Sequence, residues 1–170
     1  KSLISKNNIF VDCTASKFIA KSYSDIINKG FSIVTANKIA NTLDYNYYRE
    51  LRVQVNENKS KFLYETNVGA GLPIISALQG LIMSGDKIVE IEGVLSGTLS
   101  YLFNNFSAKT PFSRLVKDAN EKGFTEPDPR DDLSGTDVGR KLLILCREIG
   151  EQMEMNDIKI QTLLPEKSDS

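Results

Sequence analysis

Two short, continuous apolar runs, Ile9-Phe10-Val11 and Phe31-Ser32-Ile33-Val34, constrain this chain most. Each is too short for a helix and ends in small or polar residues, Asp12-Cys13-Thr14-Ala15-Ser16 and Thr35-Ala36-Asn37-Lys38. Such runs read as parallel strands buried on both faces. Between them Phe18, Ile19, Ser22, Tyr23, Ile26 and Ile27 recur at helical spacing, and Gly30 follows as a stop. The unit is β-α-β. A right-handed crossover brings the carboxyl ends of both strands to one edge of the sheet, so residues 14–16 and 37–38 are expected at one crevice, where open α/β sheets bind ligands. Spacing alone favours the plainer reading, in which Asn37-Lys38 opens a solvated loop.

Tyr45, Tyr48, Leu51 and Val55 predict a helix within 44–59, and 61–64 reads as a short strand. The character then changes. Glu65-Thr66-Asn67-Val68-Gly69-Ala70-Gly71-Leu72-Pro73 is rich in small residues and ends in a proline suited to the first turn of a helix over 74–83. Its Gly69-x-Gly71 is a weak nucleotide-loop signal, and the fuller GxGxxG occurs nowhere in the chain. Val89, Ile91 and Leu95 share one face of a predicted strand over 87–95. Gly97-Thr98 opens a helix reaching Phe106, and Thr110-Pro111 opens another with Phe112, Leu115, Val116 and Ala119 inward, closed by Gly123. Two prolines within 126–132 predict a loop or a solvated turn there, not a helix. Ser134 begins a last helix with Val138, Leu142, Leu145 and Ile149 as its apolar stripe and Gly150 as its stop. Residues 158–165 alternate as a strand does, and 166–170 form a polar tail expected to fray.

Composition narrows the chemistry. With 170 residues and 41% hydrophobic content, the chain can bury the core of one large domain or parts of two. The 21 Lys and Arg against 22 Asp and Glu leave a net charge of -1, so no global field draws it to nucleic acid or an anionic membrane. A small molecule is the expected partner. No apolar run of about eighteen residues and no signal-like start occur. Cys13 and Cys146 stand alone, expected as plain buried thiols in a reducing, cytosol-like compartment. Histidine is absent, which removes Ser-His and Cys-His nucleophiles and most zinc sites. Proton chemistry then falls to Asp, Glu, Lys, Tyr or Cys.

Asp137 and Lys141 stand four apart, hence on one face of the last helix, while Val138 anchors the adjacent face. That places them to border a cleft. The same pair reads as an ordinary exposed ion pair, with Ser134-x-x-Asp137 as a capping box. If the preceding loop turns inward, Glu126, Asp132, Asp137 and Lys141 meet, and carboxylates can grip a substrate ammonium while the lysine transfers a proton. Turned outward, the loop is a solvated acidic turn.

The strings KFLY at 61–64, ETNVGAGLPII at 65–75, EGVLSGTLSYLFNNF at 92–106 and GFTEPDPRDDLSGTDVGRKLLIL at 123–145, with ANK at 36–38, resemble the homoserine dehydrogenases over nearly the whole chain. Residues 44–52, DYNYYRELR, look more like the enzymes fused to an aspartate kinase than the single-function ones. The resemblance implies an α/β fold: the C-terminal half of a Rossmann-type dinucleotide-binding domain at 1–64, then a mixed-sheet α+β catalytic and dimerisation domain at 65–170. It implies NAD(P)H-dependent interconversion of L-aspartate 4-semialdehyde and L-homoserine, a step toward threonine and methionine, in the cytoplasm or, in a plant, the plastid. Lys141 would donate the proton to the aldehyde oxygen. Asp137 and Glu126 would bind the amino acid and orient that lysine, with Asp132, Thr98 and Gly97 also at the substrate. Lys38 would stand between coenzyme and substrate, and Thr14, Ala15 and Ser16 along the nicotinamide side. A monovalent cation, usually sodium, would sit on backbone oxygens of Glu65, Val68, Ala70 and Leu72. Carbonyls converge on an ion only where side chains do not crowd them. A homodimer through the substrate-domain sheet is implied, with 87–95 as a candidate contributor. Gly139 departs from the alanine expected there, at a cost of roughly 1 kcal/mol within a helix.

The competing expectation is a non-catalytic substrate-binding and dimerising piece, since the pyrophosphate of a dinucleotide needs a glycine-rich turn that this sequence does not hold. Coenzyme binding and turnover by these 170 residues alone are therefore expected to be weak. An aspartate-semialdehyde dehydrogenase is disfavoured, because its nucleophilic cysteine needs a basic partner and neither cysteine has a histidine.

Overall fold

The first apolar run forms β1 (Asn8–Asp12) and the second β2 (Phe31–Thr35), in a computed structural model that describes residues 7–125 and 128–164. They pair in parallel, Phe10 opposite Ile33 and Asp12 opposite Thr35. The helical segment between them is two short helices, α1 (Lys17–Lys21) and α2 (Tyr23–Asn28), not one. They part at Ser22, whose hydroxyl returns to the Phe18 carbonyl, a bond that competes with the helical ladder. Gly30 ends the crossover at φ 82°.

After β2 the chain makes a one-turn helix, α3 (Ile39–Thr42), and then α4 (Tyr45–Glu57), whose N-cap Asp44 accepts from the Tyr47 amide. The strand β3 (Phe62–Leu63) adds to β2 in parallel, giving the order β1-β2-β3. On one face of this sheet Tyr23, Ile27, Ile33 and Leu51 are buried with Phe10 and Phe62 against them. Full burial of each such side chain stabilises by roughly 1.5–3 kcal/mol.

A 3-10 turn at Glu65–Asn67 leads to α5 (Ile74–Met83), with Pro73 at its N-cap. Then follow α6 (Gly97–Asn105), α7 (Phe112–Glu121), α8 (Pro129–Leu133) and α9 (Thr136–Glu148). A second cluster joins Tyr64 and Val68 to Ile75 and Leu78 of α5 and Ile144 and Leu145 of α9. A third gathers Leu102, Leu115, Ala119 and Leu133 of α6, α7 and α8.

The α/β reading with a parallel sheet holds, but four local expectations fail. Residues 87–95 are not a strand: Val89 and Val94 are 92% and 77% exposed, while Ile88, Ile91 and Leu95 rest on the second cluster. A strand needs a ladder partner, and the described chain supplies none there. Residues 158–164 are likewise irregular, after a 3-10 turn at Met155–Asp157, and hang from the Leu133 carbonyl through the Leu163 amide. The second sheet of the expected mixed-sheet domain is thus absent among the described residues. Part of the 126–132 stretch is helical, as α8: Asp128 caps the Arg130 amide, and Pro129 takes the first turn, where its missing N–H costs nothing. Finally, α9 starts at Thr136 behind Gly135 at φ 75°, with no side-chain cap, so Ser134 closes α8 instead of opening a capping box. The buried face of α9 runs through Gly139, Leu143, Ile144, Leu145 and Arg147, displaced from the predicted stripe. The expected tail at 166–170 lies outside the described residues.

Candidate active site

The carboxyl ends of β1 and β2 meet at one crevice, as the crossover requires, and a buried polar network shapes it. Asp12, only 2% exposed, accepts from the Thr14 amide at 2.8 Å, the Tyr23 hydroxyl at 2.5 Å and the Asn37 amide side chain at 3.1 Å. Asn37 also donates to the Ser16 carbonyl and receives the Ile39 amide, so residues 14–16 and 37–39 are tied together. Burial pushes the Asp12 carboxyl up, but bonds from Tyr23, Thr14 and Asn37 outweigh it and hold the group below its ordinary value. Burial and the neighbouring Asp12 both drive the Tyr23 hydroxyl well above its ordinary value. Thr14 and Ala15 stand exposed at the lip with Ser16 half-buried. Cys13 is exposed there too and Cys146 half-buried, against the expectation that both are buried thiols. Cys13 directly follows a strand end, where the alternation of sides carries it away from the inward Asp12.

Lys38, the N-cap position of α3, reaches from this crevice toward α9. Its Nζ lies 3.3 Å from Asp137 Oδ1, and Lys141 Nζ lies 2.7 Å from Asp137 Oδ2. Lys141 also donates to the Leu95 carbonyl at 2.7 Å. An ammonium has three donors, and two of those on Lys141 are committed. Burial pushes Asp137 up, yet its bond to Lys141 and the charges of Lys38 and Lys141 leave it below its ordinary value.

Asp137 and Lys141 line a cleft of about 420 Å3 with Ser96, Gly97, Thr98, Tyr101, Phe124 and Asp132. The Thr98 hydroxyl lies 2.8 Å from Asp132 and 2.7 Å from the Phe124 carbonyl. The bends around α6 and α8 therefore converge with the face of α9 that spacing predicted. An adjoining cavity of about 440 Å3, lined by Val94, Leu95, Leu99, Phe103 and Val138, is largely apolar. Of these two, the polar cleft is the one that offers convergent charge to a small polar ligand. Thr98, Gly97, Asp132, Asp137 and Lys141 are thus brought together, with Lys38 beside them. Glu126 lies outside the described residues. Sequence reasoning passed over Ser96, Tyr101, Phe124 and the Leu95 carbonyl, and it took Tyr23 as plain core. An aspartate closing an apolar strand was the available signal, since a buried carboxylate needs donors.

The small-residue loop is tight. Gly69 at φ 82° and Ala70 at φ 51° reverse the chain, and any Cβ on Gly69 would strike the Ile74 side chain. The Glu65 carboxylate is engaged by the Ile75 and Ser76 amides at the start of α5, at 2.8 and 3.0 Å. It caps a helix, while the Glu65 and Leu72 carbonyls of the loop accept from the Val68 and Ile74 amides. Among the described residues no cluster of three acidic or sulfur groups could hold a metal, and no helix is long and apolar enough to cross a membrane.

The profile described as homoserine dehydrogenase matches residues 73–169, and that of the homoserine dehydrogenase NAD binding domain matches residues 1–65. The chain is 51% identical over 160 residues to bifunctional aspartokinase/homoserine dehydrogenase 2, chloroplastic, of Zea mays, covering 94% of this chain and 17% of that protein. It is 51% identical over 159 residues to the bifunctional aspartokinase/homoserine dehydrogenase of Buchnera aphidicola, covering 94% of this chain and 20% of that protein. It thus spans about a fifth of the length of these relatives. Its fold is similar to that of a Candida auris protein of unknown function, with a TM-score of 0.86 and 40% identity over 92% of this chain and 46% of the other. It is also similar to a hyperthermophilic archaeal homoserine dehydrogenase solved with NADPH, with a TM-score of 0.74 and 30% identity over 83% of this chain and 43% of the other.

Proposed function

We propose, from the premise that this chain belongs to the homoserine dehydrogenase family, that it carries the reacting site for interconversion of L-aspartate 4-semialdehyde and L-homoserine with NAD(P)H. The observation that carries this reading is Lys141: held between Asp137 and the Leu95 carbonyl, it keeps a donor for the cleft that Thr98 and Asp132 also line. The nicotinamide, when bound, supplies or removes the hydride. Thr14, Ala15 and Ser16 at the lip of the crevice, with Lys38 beside them, would hold its reactive end, and the bonds through Asp12 and Asn37 keep that lip in place.

The chain's own groups then divide the work. Lys141 Nζ holds its proton toward the substrate carbonyl oxygen and neutralises the alkoxide that reduction leaves there. Asp137 keeps that ammonium oriented. Asp132 and Asp137 present negative charge to the substrate ammonium, a role shared by Glu126 on the family's pattern. A monovalent cation would rest on main-chain oxygens of Glu65, Val68, Ala70 and Leu72, in a loop whose left-handed pair Gly69-Ala70 supplies the needed turn. A dimer is part of this reading, with the exposed stretch around Val89 and Val94 as a contributor.

Lys141→Ala tests the reading in a polypeptide that joins this chain to a glycine-rich phosphate turn. NADPH oxidation with aspartate semialdehyde should vanish while coenzyme binding and the melting temperature stay near those of the parent. An active variant removes Lys141 from the reaction. The same assay on the 170 residues alone tests a second reading, in which they only bind the amino acid and pair with a copy. It is favoured by the absence of any GxGxxG in the sequence, and brisk turnover by that chain would dismiss it.

A further inference from the structure

Arg147 is a buried cation to which the proposed chemistry gives no task. Its side chain is 0% exposed. Nη1 donates to the carbonyls of Asn41 at 3.0 Å and Leu43 at 2.8 Å, Nε and Nη2 to that of Met153, and Nη2 also to Glu154 at 3.0 Å. The guanidinium lies over the rings of Tyr45 and Tyr48. A buried guanidinium is costly to desolvate, and apolar residues can fill such a site at least as stably. Five directed bonds buy geometry more surely than they buy stability.

The geometry concerned is that of α3. A one-turn helix has almost no internal ladder, so groups outside it decide where it points. At its front, Asn37 receives the Ile39 amide and anchors to Asp12 and Ser16. At its rear, the carbonyls of Asn41 and Leu43 are gripped by Arg147. Lys38 is the N-cap of this same turn, and its ammonium faces Asp137. Arg147 and Asp137 both stand on α9, ten residues apart, or roughly 15 Å along a helix. One helix therefore holds α3 at both ends.

We infer that Arg147 is a positioning residue: by fixing the carbonyl end of α3 it sets where the Lys38 ammonium stands against Asp137 and Lys141. The consequence for catalysis rests on the proposed roles of Asp137 and Lys141, but the placement itself is tested without turnover.

The test is a carboxyl titration of Asp137 by NMR in the 13C-aspartate-labelled chain, comparing the parent with Lys38→Met, Arg147→Lys and Arg147→Gln. Among the described residues, the charged groups facing Asp137 are Lys38 and Lys141, with Asp132 in the same cleft. Lys38→Met defines the rise in the Asp137 midpoint when that ammonium is lost. Both Arg147 variants, folded by their amide spectra, should reproduce more than half of this rise, although Arg147→Lys keeps the charge. An unchanged Asp137 midpoint in a folded variant overturns the inference, and so does failure of both variants to fold, which makes Arg147 a folding residue. In a catalytically competent polypeptide, Arg147→Lys should lower kcat by about tenfold, as expected of a misplaced group, with KM for both substrates within about twofold. A lost melting temperature with kcat retained also overturns the inference. If Lys141→Ala proves active while the Asp137 midpoint still moves, the proposed reaction falls and the positioning role stands.

Discussion

At the scale of single residues, Asp12 stays ionised in the interior only because Tyr23, Thr14 and Asn37 donate to it. Tyr23→Phe deletes one of those donors with no change of shape. A hydrogen bond to a charged group contributes about 1.5–3 kcal/mol, so urea unfolding of this variant should show a loss of that order at neutral pH. Asp137 gives a test in pH. Its folded-state value lies below the ordinary 3.8, so its contribution to stability is fully present above about pH 4 and is lost as the pH falls through the lowered value. The melting temperatures of the parent and Asp137→Asn should therefore differ at neutral pH and converge as the solution is acidified. A constant gap would mean that the ion pairs with Lys38 and Lys141 hold nothing in the folded state.

At the scale of elements, α9 depends on two glycines for different reasons. Gly135 has φ 75°, and a Cβ there would approach the Ile160 side chain at 2.8 Å. Placing an L-residue in the left-handed region costs roughly 1–2 kcal/mol, so Gly135→Ala should destabilise by at least that much in denaturant melts. At Gly139 a Cβ would meet the tips of Ile160 and Met155 at 2.7 and 2.8 Å. The glycine that reads as a helix defect in the sequence is where the segment after α9 packs down. Those tips can swing aside, and alanine regains roughly 1 kcal/mol of helix propensity, so Gly139→Ala should move stability by less than Gly135→Ala does. Residues 87–95 teach the converse lesson. Their alternation was legible, but a strand is a property of two segments, and no partner is present in the described chain.

At the scale of the whole molecule, the described residues cover the sheet on one face. Ile9 and Val11 are each 62% exposed, Leu63 52% and Val34 37%, an apolar stripe of the kind that marks a contact surface. Val11→Lys should shift stability in urea unfolding by no more than about 0.5 kcal/mol, as surface changes do. A large loss of stability would mean that this face is packed in the folded chain. What the sequence determined by itself is local or periodic: the β-α-β unit, the longer helices that follow, and the pairing of Asp137 with Lys141 on one helical face. Each depends on neighbours within a few positions, and the family motifs added roles to residues already in register. What only the tertiary structure decided depends on chain segments far apart. It joined Lys38 at the N-cap of α3 to Asp137 of α9, laid the Leu95 carbonyl on Lys141, closed Thr98 onto Asp132, and gave Arg147 the rear of α3 to hold. Hydrogen-bonding groups so distant in the chain leave no periodic trace, because their pairing is set by how the helices pack.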